Sequence, residues 1–461
     1  MHREDVTPEE RIEELEKENE RLRSENAGLR ADLEKVKRDI ESWRRGFKER
    51  TKRRTSQRES GPRPPPKKAG RKPGHPAARR PAPTEVDREQ RHPTPATCAC
   101  GGSVEATDEE VSTLEVDIPP VTPVVTKHTT RIGCCRACRA RVVARLPGAS
   151  PNGTTVATVT FGPNVQSLAL SLRFDLSAPL GKLGAFLGRW FGVSASPGGL
   201  ARMFDRLGQQ AAPAVEEITA ALRGAPVVGI DETGLRQNGA KGWCWVARTD
   251  KLSLFRVELS RGRWVAESIL GKDFAGVVVS DFLSVYTDQG TWKNALCGAH
   301  VIREAKKIAE LQPSPMTEEF RDRVRAFYKA GEEAQKSGDF YARRGVRIRL
   351  GHLLGSTDYT ANVDITTLQE RLRVHHVGVT RFLDNPAVPW HNNATERDVR
   401  IVARHRAVTG GTRSFRGSAT TATWLSINTT RQKNGLELAP FVHAMWSARL
   451  ADATAPSVFV N

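Results

Sequence analysis

Two aspartates and a glutamate sit where the chain pattern could hold them rigidly enough to do chemistry. The apolar run 227–230 ends on Asp231, and after a Gly-containing turn a second strand-like run at 242–247 completes a predicted β-hairpin. The run 276–280 is a further buried-strand pattern that ends on Asp281. A strand ending on a carboxylate can present it at the rim of a sheet, although a single strand-end aspartate is more often a turn former or helix cap. The third acid is Glu396, within HNNATERDVRIVARHR, where Asn393 or Thr395 could cap a helix and Arg397, Arg400, Arg404 and Arg406 follow along it. Carboxylates are hard oxygen ligands. Three of them are what phosphodiester chemistry with two Mg²⁺ or Mn²⁺ ions roughly 4 Å apart requires, one ion activating the attacking oxygen and the other stabilising the leaving one.

A second donor set is soft. Cys98 and Cys100 stand in CACGG, and Cys134, Cys135 and Cys138 stand in CCRAC, with alternating Val and Thr between them that predicts a short antiparallel sheet. The whole reads as a zinc ribbon with Cys98, Cys100, Cys135 and Cys138 as ligands of one structural Zn²⁺, its first pair a tight C-x-C. A metal-free remnant of such a ribbon is the competing reading. Seven cysteines in uneven clusters suit a reducing compartment better than a disulfide framework.

The remaining chemistry is cationic. Lys and Arg number 71 against 53 Asp and Glu, a net charge of +18, so a polyanion is the expected partner. Residues 44–80 hold fifteen of those cations and only two acids, Glu49 and Glu59, in a Pro- and Gly-rich stretch that reads as an extended arm. Lys52, Arg53, Arg54, Lys67, Lys68, Arg71 and Lys72 of this arm are expected to contact phosphates without reading sequence. A solubilising linker is the plainer alternative. Residues 180–191, a turn at 192–195 and residues 196–207 with Pro197 at its start resemble a helix-turn-helix whose second helix offers Arg202 and Arg206 to a major groove. His300 could reach phosphate, but equally reads as a satisfied core histidine.

These groups need elements to position them. Ile12, Leu15, Asn19, Leu22, Asn26, Leu29, Leu33, Val36 and Ile40 recur in steps of three and four, a coiled-coil seam that predicts self-association. No apolar run of about 18 residues and no apolar N-terminal segment is present, so neither a membrane span nor a secretory signal is expected. Residues 310–383 read as helical and Arg-rich, an all-helical insertion between the second and third acids.

With these residues in view, the chain resembles the insertion sequence 66 family of transposases. The resemblance rests on DET at 231–233 with GWCWV at 242–246, on SDFLSVY at 280–286 with CGAHVIREAKK at 297–307, and on HNNATER at 391–397 with KNG at 433–435. The family usually carries an acid just before the paired asparagines, where His391 stands here. The resemblance implies a DDE transposase, with Asp231, Asp281 and Glu396 as its catalytic and metal-binding acids on an RNase H-like core.

The expected architecture is α/β and multidomain: a mixed RNase H-like sheet with flanking helices and an all-helical insertion, preceded by a coiled coil, a zinc ribbon and a helical DNA-binding domain. Expected boundaries are 1–45 for the coiled coil, 46–92 for the basic arm, 93–145 for the ribbon and 146–224 for the DNA-binding helices. The core then occupies 225–309 and 386–461, with the insertion at 310–385. The expected activity is metal-dependent cleavage and joining of DNA strands at element ends. Double-stranded DNA, further copies of the chain and accessory proteins of the same element are the expected partners, in the bacterial cytoplasm at the nucleoid. Arg202, Arg206, Arg397, Arg400 and Arg404 join the arm as DNA contacts. An inactive DNA-binding repressor or architectural protein, and an RNase H-like nuclease without strand transfer, are the alternatives.

Overall fold

The computed structural model describes residues 82–142, 144, 146–147, 159–287 and 292–460, together with Glu18, Glu20 and Leu22, which are helical and exposed. The rest of the predicted coiled-coil seam and the basic arm, with its Lys and Arg at 52–54, 67, 68, 71 and 72, lie outside the described residues. The chain divides into two units, 1–117 and 118–461.

In the first unit residues 82–117 are largely irregular and exposed, closed at one point by a bridge between Thr97 and Ser103 around the Cys98–Cys100 turn. The second unit opens on a two-stranded ladder, β1 (Gly133–Cys134) and β2 (Arg141–Val142), which frames the other cysteine cluster. The antiparallel sheet expected between the clusters is absent: residues 104–132 form no strand. Val111, Val116, Ile118, Val124 and Val125 are exposed, so the alternation has no apolar layer to bury against.

Helices α1 (Pro163–Phe174), α2 (Leu180–Phe191), α3 (Pro197–Gln210) and α4 (Ala212–Arg223) come next. Helix α2 stops at Gly192, whose φ of 65° is the left-handed conformation that glycine adopts most cheaply. Helix α3 begins with Pro197 after Ser196, whose hydroxyl accepts from the Gly199 N–H. A Cβ on Gly184 would stand 2.3 Å from the Ala195 carbonyl oxygen, so only glycine lets the inter-helix turn pack this closely on α2.

The sheet has the order β5-β4-β3-β6-β7, formed by β3 (Val227–Gln237), β4 (Ala240–Arg248), β5 (Ser253–Glu258), β6 (Val277–Ser280) and β7 (Lys293–Leu296). The first three are antiparallel, and β6 and β7 add in parallel on the other side of β3. Asn238 and Gly239, both at positive φ, make the two-residue turn between β3 and β4, the conformation that matches the twist of a hairpin. Asp231 therefore lies within a long strand rather than at its end, which corrects the sequence expectation. Pairing with β4 continues through Glu232, Thr233 and Gly234, and this ladder outweighs the loss of apolar character there.

Both faces of the sheet are buried. Val228, Ile230 and Val278 face one core, shared with α1–α4, with α5 (Arg263–Leu270) and with the late helices α13 (Phe415–Lys433) and α14 (Leu438–Ala451). Val277, Val279 and Ala295 face a second core built with α7 (Gly298–Leu311), α8 (Pro315–Ser337), α9 (Phe340–Gly355), α10 (Val363–Val374) and α11 (His376–Thr380), the short α6 (Ser284–Thr287) preceding β7. That two-sided burial is why β6 reads as an uninterrupted Val run. The edge strand β5 is closed by hydroxyls: Ser426 and Thr430, one turn apart on α13, accept the outward N–H groups of Phe255 and Ser253. Helix α12 (Asn393–Thr409) carries the third acid.

Candidate active site

Strand register and one helix packed on β3 bring Asp281 and Glu396 near enough for their charges to act on Asp231. In the parallel β3–β6 pair each residue faces the one fifty positions later, as Gly229 faces Val279, so Asp231 and Asp281 stand level on adjacent strand paths. The charge of Asp281 reaches the Asp231 carboxyl. One Asp231 oxygen accepts from the Glu232 N–H at 2.8 Å, and one Asp281 oxygen accepts from the Leu283 N–H at 3.0 Å, closing an Asx-type turn as β6 ends.

Glu396 arrives in the first turn of α12. The Asn392 side chain donates to the Ile230 carbonyl at 3.0 Å, one residue before Asp231, and accepts from the Thr395 hydroxyl. Neither Asn393 nor Thr395 caps the helix: Asn392 holds the N-cap position, and its amide is spent on β3. This docking needs Gly229, because a Cβ there would lie 2.2 Å from the Thr395 hydroxyl and 3.0 Å from the Asn392 side-chain oxygen Oδ1. Burial, then the charge of Glu232, and further the charges of Asp281 and Glu396 push the Asp231 carboxyl up to about 7. The cluster thus resists carrying its full negative charge alone, and its hard oxygens fit a divalent cation as partner. As the side chains stand, no group of three or more His, Cys, Asp or Glu among the described residues is gathered to hold a metal. Glu396 Oε1 is engaged by Arg303 Nη2 at 2.5 Å and has His300 Nε2 at 3.9 Å. Burial first and then Arg303 lower the His300 pKa, with the acids Asp281, Glu396 and Glu304 opposing.

Glu232 is the residue that sequence reasoning passed over. Its side chain is only 1% exposed, points away from Asp231 by strand alternation, and is held by Arg261 Nη2 at 2.5 Å and by the Tyr286 hydroxyl. Tyr286 follows Asp281 on α6, so this contact ties the loop of the second acid to the strand of the first. The period of two, continued past Asp231, was the available signal. Asp398 was missed as well. It is buried one half-turn from Glu396, accepts from Ser253 and pairs with Lys433 at 2.7 Å and Arg248 at 3.6 Å. Burial lowers the Lys433 ammonium to about 8, with Asp398 opposing that shift. Lys433 also donates to the Thr249 and Leu252 carbonyls and Asn434 to that of Lys251, so the KNG segment clamps the β4–β5 turn.

Arg397, Arg400 and Arg404 are exposed along α12 beside Glu396, whereas Arg406 turns inward to the Thr233 hydroxyl and the Gly234 carbonyl. Arg202 and Arg206 are exposed one turn apart on α3. Helix α12 runs on to Thr409, and in the turn after it Thr412 spends its N–H on the Arg236 carbonyl. His391 lies edge-on to the Trp390 ring at 4.7 Å, with its Nδ1 buried and unpaired.

Each cysteine cluster forms a tight turn of its own. The Cys98 thiol is lowered by the backbone N–H of Cys100 and the Cys135 thiol by that of Cys138, the bias toward thiolate that a zinc knuckle needs.

Comparison with known proteins gives the family. A family model described as Transposase IS66 family matches residues 158–420, which include Asp231, Asp281 and Glu396. An uncharacterized protein, y4jO, of Sinorhizobium fredii (strain NBRC 101917 / NGR234) is 27% identical over 164 residues, 34% of this chain and 50% of that protein. The chain thus spans about half the length of that curated relative. Among the described residues no helix is long and apolar enough to cross a membrane.

Proposed function

Because this chain belongs to the transposase IS66 family, we propose that it is a DDE transposase that binds the ends of its own element and cuts and joins DNA strands there. The observation that supports the reading is the parallel β3–β6 register, which leads the chain to Asp231 within β3 and to Asp281 just past β6, together with Glu396 on a helix docked against Gly229. A central antiparallel hairpin extended by two parallel strands, helices on both faces and acids at one end also support an RNase H-like core.

Asp231, Asp281 and Glu396 would hold two Mg²⁺ or Mn²⁺ ions, which when bound activate the attacking oxygen and stabilise the leaving one. The chain's own part is positional. Arg397, Arg400 and Arg404 grip backbone phosphates along α12, and the Glu232–Tyr286 contact keeps the two aspartates in register. Water attacks the phosphodiester at the element end: a P–O bond to water forms, the bond to the 3′ oxygen breaks, and that oxygen leaves as a hydroxyl. The 3′-hydroxyl then attacks a target phosphodiester in line, losing its proton and displacing a target 3′ oxygen. No protein nucleophile is required.

In the same reading Arg202 and Arg206 present α3 to the major groove, and the arm at 44–80 adds contacts that do not depend on sequence. The segment 12–40 pairs copies of the chain, and accessory proteins of the element assist. Such a protein would work in the cytoplasm at the nucleoid.

The test is cleavage of a labelled duplex carrying the DNA that flanks the gene, with Mg²⁺ or Mn²⁺. Nicking at a defined end by the wild type, lost in Asp231→Asn and Glu396→Gln while DNA binding persists, is the expected result. Tight end binding without cleavage by the wild type in either metal would favour a binding protein instead.

A further inference from the structure

The carboxylate of Glu396 already has a cation. Helix α7 starts at the end of β7, and the i, i+3 spacing puts His300 and Arg303 on one side of it. Arg303 donates from Nε to the Ala299 carbonyl at 3.2 Å, and its Nη2 meets Glu396 Oε1 at 2.5 Å with His300 Nε2 at 3.3 Å. Glu396 is mostly buried, with its side chain 20% exposed, whereas that of Arg303 is 55% exposed. The ion pair therefore joins an enclosed acid to a long side chain whose other face meets solvent.

Two demands on one oxygen conflict here. A guanidinium in line with Oε1 uses the lone pairs a divalent cation would need, and its positive charge repels such a cation at close range. Arg303 has few ties besides Glu396. A guanidinium forms its most favourable paired hydrogen bonds with phosphate, and this one is exposed at the rim where the proposed DNA backbone would lie.

We infer that Arg303 is a DNA-responsive guard on the third acid. In the free protein it occupies Glu396 and weakens divalent metal binding. A DNA phosphate draws it outward and releases the carboxylate, so that the site gains its metal affinity when substrate is present. Arg303 is thus a positioning residue, acting through Glu396, and the inference rests on the metal-dependent reading of the three acids.

The experiment measures Mn²⁺ binding to the full chain by isothermal titration calorimetry, with and without a short duplex. Asp231→Asn serves to identify the portion of binding due to the site. Without DNA, Arg303→Ala should bind Mn²⁺ about tenfold more tightly than wild type, within the usual range of coupling between sites. The duplex should tighten binding by a similar factor in wild type and by little in the variant. A merely structural arginine would not raise metal affinity when removed. Arg303→Gln keeps the helix and much of the stem, and should behave likewise if the alanine variant folds poorly. Equal Mn²⁺ affinity of wild type and both variants without DNA overturns the guard. Mn²⁺ binding that neither Asp231→Asn nor Glu396→Gln alters would instead remove the metal reading itself, and the guard with it.

Discussion

At the scale of single residues, Asp231 makes the most direct test of how the acids are packed. Its carboxyl, ordinarily near 3.8, is raised to about 7 by burial first and by its acidic neighbours after that. Because the folded value exceeds the unfolded one, folding takes up a proton between those limits. The associated stability is complete below about pH 4 and is lost as pH rises through about 7. Asn mimics the protonated acid. Asp231→Asn without metal should therefore melt close to wild type at pH 3.5 but on the order of 5 °C higher at pH 8, a shift calorimetry resolves. Equal melting at both values would mean that burial and the acidic neighbours do not raise the Asp231 carboxyl. Asp231 and Asp281 were legible in the sequence because valine runs lead up to both. Glu232 was not, because its partners Arg261 and Tyr286 are distant in the chain and only strand alternation hints at where it points.

At the scale of elements, the site depends on how closely α12 lies on β3. Gly229 reads in the sequence as a neutral member of an apolar run, yet the space above it is filled by Thr395 and Asn392. Gly229→Ala should push the first turn of α12, and Glu396 with it, away from the aspartates. Overpacking of this kind costs on the order of 1–3 kcal/mol, and a displacement of about 1 Å at a reacting group can cost about a hundredfold in rate. Loss of cleavage with most of the stability kept is the expected outcome; unchanged cleavage would show that α12 is free to move. The anchor farther along, Asp398 with Lys433 and Arg248, predicts a different pattern. Removing the acid leaves two buried cations facing each other, so Asp398→Ala should lower stability by roughly 3–5 kcal/mol, measured by denaturant unfolding. The boundaries of the α2–α3 helix pair were legible because Gly192 and Pro197 are local stop and start signals. The length of β3 was not, because cross-strand pairing with β4 sets it.

At the scale of the whole molecule, the question is how its positive charge is divided between holding DNA and reading it. Residues 44–80 contain fifteen cations and two acids, so most of the +18 of the entire chain is concentrated in a segment with no groove-reading pattern. Arg202 and Arg206, by contrast, are two charges on the exposed face of a helix that a tight glycine turn aims. These two sets should therefore fail in different ways. Removing 44–80 should weaken binding to all duplexes and flatten its salt dependence, since each phosphate no longer neutralised reduces the slope of log affinity on log salt by about 0.9. Preference for the element end over unrelated DNA should survive that deletion. Arg202→Ala with Arg206→Ala should do the reverse, leaving the slope nearly unchanged and costing about 1–3 kcal/mol of preference for each base edge no longer read. Fluorescence anisotropy titrations over a salt series, with end and scrambled duplexes, separate the two. If the arginine pair changed only the slope, α3 would be one more phosphate grip, and sequence reading would have to be sought on the exposed row Arg397, Arg400 and Arg404 of α12.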